Sequence, residues 1–217
     1  DARAQLMAVA REFSPRVERL REDLLALDVS GLERWFENPR AAESPTRQPR
    51  WGAALGEALR RAAADRGLAA HIAVAATRTA ALLCARGRAG LTVALPGEEA
   101  ARLASLPLDV LAVWTVPDVE RFRPRTPMDP DQGVPVATLK RWGLKTLGDL
   151  ANLPSVELSE RLGQAGIVWQ RLARGEDLQP LVPTRPDEHY EESLELEWPI
   201  DQLEPLYQLE KSGELNN

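Results

Sequence analysis

The chain has 217 residues and a mass of 24.0 kDa, a size that suits one large domain or two small ones. Hydrophobic residues make up 44% of it, enough for packed cores, and no apolar run approaches the roughly 18 residues that a membrane span needs. A single cysteine, Cys84, excludes an internal disulfide framework, and with only two histidines it cannot build a Cys/His metal cluster. We therefore expect a cytoplasmic protein without a structural metal.

The net charge of −6 is unevenly distributed along the chain. Residues 187–217 contain ten acidic residues against Lys211 alone and carry −9, which leaves +3 for residues 1–186. The body of the chain is mildly basic, so its charge permits DNA binding without demanding it. The chain also begins within a helical pattern, and we expect it to be a fragment of a longer protein.

Residues 1–106 alternate between helical and extended patterns. The predicted elements are, in chain order, a helix over 2–13, a buried strand over 24–29, a loop over 37–50, a helix over 51–66 ended by Gly67, a strand over 71–77, a helix over 79–87, a strand over 91–95 and a helix over 97–106. This order of strands and helices predicts an α/β or α+β layer.

The pattern changes after residue 106. Residues 115–135 hold five prolines and predict a linker or a long loop. Four short helices, each broken by glycine or proline, are predicted at 136–143, 146–154, 155–163 and 167–175. We expect residues 107–178 to form a small helical domain, and residues 179–217 to be a linker followed by the start of a third unit.

The stretch LKRWGLKTLGDLANLP, residues 139–154, has the form of half a helix-hairpin-helix. A short helix, a tight Gly143-Leu144 turn and a second helix starting near Thr146 would aim backbone amides at a phosphate, with positive side chains beside them. Such contacts position a duplex without reading its sequence. The candidate DNA-binding residues are Lys140, Arg141, Gly143, Lys145 and Thr146. A helical turn with a solvated basic face explains the same residues, and this stretch alone leaves both interpretations open.

Several segments, taken in order, resemble the Y-family DNA polymerases. FSPRVERLREDLLALDVSG and HIAVAATRTAALLCAR resemble palm segments, whereas GEEAARLASLPL, LKRWGLKTLGDLANLPSVELSERLG and QAGIVWQRLARGEDLQPLVP resemble the thumb, and LEWPIDQLEPL resembles the start of the little finger. LDVSGLERWF, RWGLKTLGDLANLP and RLARGEDLQPLVP look specifically like the ImuB branch. The resemblance implies an α+β fold: a truncated palm over 1–106, a helical thumb over 107–178 and a stub of little finger over 179–217.

The resemblance also implies a catalytic site, and this sequence lacks some of the residues that such a site needs. Active members hold two metal ions through carboxylates, including an adjacent Asp-Glu pair, and the matching pair here is Asp23-Leu24. The third carboxylate would come from the family's first strand, which lies before Asp1. Positions that meet the triphosphate in active members hold Arg78, Leu82 and Ala89-Gly90, of which only Arg78 suits a phosphate. We expect Asp23 to be vestigial and no cofactor to be needed, with Mg²⁺ required only if the protein is an active polymerase.

The expected function is that of a noncatalytic DNA damage-tolerance factor that binds primer-template backbone and scaffolds other proteins. The resemblance implies a sliding clamp, a DnaE-type polymerase and an ImuA-type protein as partners, bound largely outside this chain. The segment Gln202–Leu206 shares two residues with clamp-binding peptides, and we interpret it as a chance match. Two alternatives stay open: an active error-prone translesion polymerase, and a non-enzymatic helix-hairpin-helix module fused to an unrelated α/β domain.

Three further residues have simpler interpretations. Trp142 and Trp169 fall at apolar positions of the predicted helices, and we expect both to pack in the core rather than stack on bases. Asp28, at the end of a predicted strand, is expected to serve a turn rather than a metal.

Overall fold

The computed structural model describes residues 1–36, 51–113 and 136–184. These residues all belong to one compact unit, Asp1–Thr184. The predicted loop over 37–50, the proline-rich segment over 115–135, the acidic segment 187–217 and the segment Gln202–Leu206 lie outside the described residues.

The described elements alternate between helices and short strands before a final run of helices. In chain order they are α1 (Ala2–Phe13), β1 (Val17–Arg21), β2 (Leu24–Leu27), α2 (Glu33–Phe36), α3 (Trp51–Ala64), β3 (Ile72–Val74), α4 (Arg78–Gly87), β4 (Leu91–Val93), α5 (Glu99–Leu103), a 3-10 helix (Leu108–Val113), α6 (Val136–Arg141), α7 (Leu147–Ala151) and α8 (Ser155–Ala173). No helix among them is long and apolar enough to cross a membrane.

The predicted helices and strands of residues 1–106 are confirmed, with ends that differ by a few residues. Strand β1 was not predicted, because its sequence VERLR carries three charges and only Val17 is fully buried. The 3-10 helix Leu108–Val113 was also not predicted. The two helices predicted on either side of Gly163 are present as α8, whose backbone is kinked at that glycine with φ 63°.

The strands form two separate sheets rather than one continuous layer. β1 and β2 pair antiparallel, whereas β3 and β4 pair parallel and are connected through α4, as in a strand–helix–strand unit. A cavity of about 1520 Å³ lies against both sheets and is lined largely by apolar side chains of α1, β2, α3 and β3. The fold is therefore α+β, with the strands in two small sheets.

One hydrophobic core connects α4 and α5 with the last three helices. Its fully buried side chains include Leu83, Leu103, Leu108, Leu111, Leu139, Leu147, Leu150, Leu158 and Leu172. Backbone hydrogen bonds cross the same region, from the Leu147 amide to the Leu106 carbonyl at 2.8 Å and from the Leu108 amide to the Lys145 carbonyl at 3.2 Å. The predicted boundary after residue 106 thus falls inside a shared core.

Candidate nucleic-acid interface and metal site

The Asp23-Leu24 pair lies at the hairpin between β1 and β2, and its two side chains have opposite environments. The Asp23 side chain is 67% exposed. Leu24, the first residue of β2, is only 8% exposed and belongs to the hydrophobic core. The backbone at position 24 therefore presents its side chain to the core, where an ionised ligand would be strongly disfavoured.

The charges around Asp23 are positive. Arg21 Nε lies 3.7 Å and Arg86 Nη1 lies 3.6 Å from its carboxylate oxygens. Divalent cations need several oxygen ligands, yet no group of three or more His, Cys, Asp or Glu side chains that could hold a metal is found among the described residues. The residues present at this corner do not fit the two-metal site that the resemblance implies.

Arg78, the predicted phosphate-binding residue, is the first residue of α4 and is fully engaged. Its Nε and Nη2 atoms donate to the Glu18 carboxylate at 2.6 and 2.7 Å, and the two side chains are only 11% and 15% exposed. A phosphate would have to displace Glu18 from the guanidinium. Leu82, one turn further along α4, is buried in the core.

The N-terminus of α4 is occupied by the chain's own carboxylate. The Arg78 and Thr79 amides donate to the two oxygens of Asp177 at 3.0 and 2.7 Å. Beside them the Thr77 hydroxyl donates to the Gly175 carbonyl at 2.7 Å and accepts from the Ala80 amide. Residues 175–177, which follow α8, thus fasten the end of that helix to α4 in the place where an anion would bind.

The turn between α6 and α7 has the predicted form, with Gly143 at φ 88° and Thr146 as the N-cap of α7. Its amides, however, already have partners. The Lys145 and Thr146 amides donate to the Asp149 carboxylate at 2.8 and 2.9 Å, the Asp149 amide donates to the Thr146 hydroxyl, and those of residues 147 and 148 donate to carbonyls near α5.

This capping box corrects the expected mechanism. The amide hydrogen bonds from Lys145 and Thr146 lower the pKa of Asp149, so the carboxylate stays ionised in the position that the predicted phosphate would take. No amide from residue 145 to residue 149 is left for a phosphate. Any DNA contact of this turn must come from side chains.

Of the three positively charged side chains predicted to bind DNA, Arg141 and Lys145 have no ion pair among the described residues, whereas Lys140 has one. Lys140 Nζ lies 2.7 Å from both Asp109 oxygens and is engaged. Arg141 donates only to the Thr138 hydroxyl, at 3.3 Å, and the Lys145 ammonium has neither a hydrogen bond nor an ion pair within the described ranges.

Trp142 and Trp169 differ in how far their side chains are exposed. Trp169 is 3% exposed in the core, which confirms its predicted packing. Trp142 is 38% exposed, so the core interpretation is wrong for this residue. It follows the last residue of α6 at the tight turn, and Arg161 of α8 covers its ring, with Cζ 5.3 Å from the ring centroid.

Comparisons with known proteins agree with this architecture. The model of the impB/mucB/samB family matches residues 1–86. ImuB proteins from two strains of Caulobacter vibrioides are 28% identical over 196 residues, which is 89% of this chain and 36% of theirs. A DNA polymerase IV from Methanoculleus marisnigri is 29% identical over 175 residues, covering 80% of this chain and 40% of the relative.

A solved structure titled as a Dbh ternary complex has the same fold, with a TM-score of 0.52 at 17% identity, over 83% of this chain and 46% of that one. The chain is similar to Y-family DNA polymerases and to ImuB proteins over most of its length. These similarities confirm the resemblance to the Y family that was drawn from the order of the segments along the sequence. The Y-family-like chain spans less than half the length of each of these relatives.

Three contacts at the candidate site were not predicted from the sequence: Glu18 with Arg78, Asp177 with the start of α4, and Arg161 with Trp142. The first two join residues 60 and about 98 positions apart, so no local pattern announces them. Thr77 gave a weak signal, since a threonine before an apolar helix predicts a capped N-terminus. Arg161 carried no signal, because a charged residue on an exposed helix face is ordinary.

Proposed function

We propose that this Y-family-like chain belongs to a DNA damage-tolerance protein that binds primer-template DNA and does not itself transfer nucleotides. The observation that carries the proposal is the burial of Leu24 where active relatives need a carboxylate. The neighbouring Asp23 is ion-paired with two arginines instead of other acids. A protein of this kind holds DNA and positions partners that perform the chemistry.

The DNA contact is proposed to come from the side chains at the turn between α6 and α7. Arg141 and Lys145 flank this turn without an ion pair or a hydrogen bond to a carboxylate among the described residues, although Lys145 lies within electrostatic range of Asp149. The net charge of residues 1–186 is +3. Cations of this kind bind phosphates by releasing counterions and confer no sequence preference. Lys140 contributes less, because a phosphate must compete with Asp109.

The partners are proposed from the resemblance: a sliding clamp, a DnaE-type polymerase and an ImuA-type protein, contacted outside the described residues. The rival function is an active translesion polymerase, for which the similarity to a DNA polymerase IV speaks. That function needs a metal-binding carboxylate that replaces position 24, supplied by residues outside this chain.

The experiment compares duplex binding of the wild-type chain and of Arg141→Ala/Lys145→Ala, by fluorescence anisotropy at salt concentrations from about 50 to about 300 mM, a range over which phosphate binding weakens steeply. The plot of log affinity against log salt becomes shallower by about 1.8, at about 0.9 for each phosphate that the variant no longer neutralises. Arg60→Ala is the matched control, because Arg60 is an exposed arginine on α3 that pairs with Glu57. A wild-type salt slope in a folded double variant would remove these residues from the DNA surface.

A further inference from the structure

Arg161 and Trp142 form a cation–π pair between α8 and the turn after α6. The guanidinium carbon lies 5.3 Å from the centroid of an indole ring that is more than one third exposed. Glu157 is four residues earlier on α8, a spacing at which ion pairs form readily on a helix, yet no salt bridge joins it to Arg161 in the described part of the chain. In this structure the guanidinium contacts the ring and not the Glu157 carboxylate.

The cation–π contact leaves the N–H groups of the guanidinium without partners among the described residues. The five N–H groups of arginine lie in the guanidinium plane, so a ring that covers one face does not block them. Within the described residues those groups have no hydrogen bond or ion pair. A planar fork whose orientation is fixed by an aromatic ring is the arrangement that binds two oxygens of one phosphate.

The pair also lies beside the proposed DNA contacts. Trp142 directly follows Arg141 and precedes Lys145 by three residues, so Arg161 adds a cation from a second helix to the same turn. Two carboxylates at this turn are already engaged, Asp149 by the amides of residues 145 and 146 and Asp109 by Lys140.

We infer that Arg161, oriented by Trp142, is a phosphate-binding residue that grips the DNA backbone from α8. The inference rests on the proposed function and identifies a further contact of that surface. The competing explanation is purely structural: the pair packs α8 against the turn, and its removal affects stability but not DNA binding. The two explanations differ in what lysine at position 161 does, because lysine keeps the charge and lacks the planar fork.

The test measures duplex affinity and its salt dependence for three variants. Arg161→Ala loses about tenfold in affinity, as expected for one charge-assisted hydrogen-bonded phosphate, and its log–log salt slope falls by about 0.9. Arg161→Lys keeps the wild-type slope but loses several-fold in affinity. Trp142→Leu weakens binding to a similar degree with an unchanged slope, since Arg161 keeps its charge but not its orientation.

Arg171→Ala is the matched control, because Arg171 lies on the same helix but is paired with Glu176 and should leave both quantities unchanged. Circular dichroism and thermal melting verify that each variant is folded. If the wild-type chain binds DNA and Arg161→Ala binds with the same affinity and slope, the pair is structural and the inference is wrong. If the wild-type chain binds no duplex at low salt, the proposed function fails together with it.

Discussion

At the scale of single residues, burial decides what an ion pair contributes. Two arginine–glutamate pairs, Arg78 with Glu18 and Arg60 with Glu57, both use Nε and Nη2 of the arginine, on two carboxylate oxygens in the first pair and on one in the second. The side chains of the first pair are 11% and 15% exposed, and those of the second are 52% and 41% exposed. Breaking a buried pair leaves an uncompensated charge, whereas an exposed pair is replaced by water.

Glu18→Ala is therefore expected to lower the free energy of unfolding by about 3 kcal/mol, and Glu57→Ala by about 0.5 kcal/mol. Urea unfolding followed by circular dichroism measures both. Similar decreases in the two variants would show that Arg78 finds another partner once Glu18 is removed. Such a result would also return Arg78 to the candidates for phosphate binding.

Asp28 makes the stability depend on pH. Hydrogen bonds from the Ser30 hydroxyl, at 2.6 Å, and from the Ser30 amide, at 3.0 Å, lower the pKa of its carboxyl, with a smaller effect from Arg16. A carboxyl whose pKa is lower in the folded than in the unfolded state stabilises the fold above its ordinary pKa of about 4. That contribution is lost as the pH falls through the lower, folded-state pKa.

We expect Asp28→Asn to be less stable than the wild type at neutral pH and to approach it as the pH falls from about 4 through the lower pKa of the folded-state carboxyl. Chemical unfolding across this pH range measures the difference. Ser30→Ala removes the largest cause of the shift and should reduce the pH dependence while leaving the carboxylate in place. A stability difference that stays constant with pH would mean that Asp28 acts through shape rather than charge.

At the scale of elements, the connection between α4 and the end of α8 is made by polar contacts at a helix N-terminus. Asp177 accepts from the first two amides of α4, and the Thr77 hydroxyl donates to the Gly175 carbonyl. These contacts set the position of the last helix relative to the β3–α4–β4 unit. They also fill the site that a helix N-terminus offers to a phosphate.

Asp177→Ala should free the amides of Arg78 and Thr79, so their hydrogen exchange becomes faster, and the free energy of unfolding falls by about 1 kcal/mol. Amide exchange followed by NMR or mass spectrometry resolves the effect. Glu176→Ala is the control: the neighbouring acid pairs with Arg171 on the surface, so its removal should leave both amides protected. Unchanged exchange at Arg78 and Thr79 in the Asp177 variant would contradict the connection.

The whole molecule shows which features a sequence can reveal. The helices of residues 1–106 are predictable from the spacing of apolar residues and from helix-ending residues such as Gly67. The absence of a carboxylate at position 24 can be read directly from the sequence, which has Leu24 there. The short, charged strand β1 and the two-sheet arrangement depend on pairing between segments, which periodicity does not encode. The engagement of Arg78 by Glu18 was equally invisible, because both residues have the appearance of solvated charges until the fold brings them together.

The same limit applied to the turn between α6 and α7. Its helix–turn–helix form and the N-cap at Thr146 were predictable from Gly143 and from the residue types. The capping box was also present in the sequence, as threonine followed by aspartate three residues later. The sequence does not show that the Asp149 carboxylate occupies the amides at the start of α7; this occupancy is visible only in the structure. The DNA contact proposed for this turn is therefore assigned to its side chains and not to its backbone amides.

A primer-extension assay on the full-length gene product that carries this chain tests whether the protein holds DNA without extending it. A primer-template is supplied with all four nucleotides and Mg²⁺ or Mn²⁺, and binding is measured on the same sample. We expect salt-dependent binding of the primer-template and no extension, for the wild type and for Leu24→Glu alike. Template-directed extension by the wild-type protein would contradict it and favour the active-polymerase alternative.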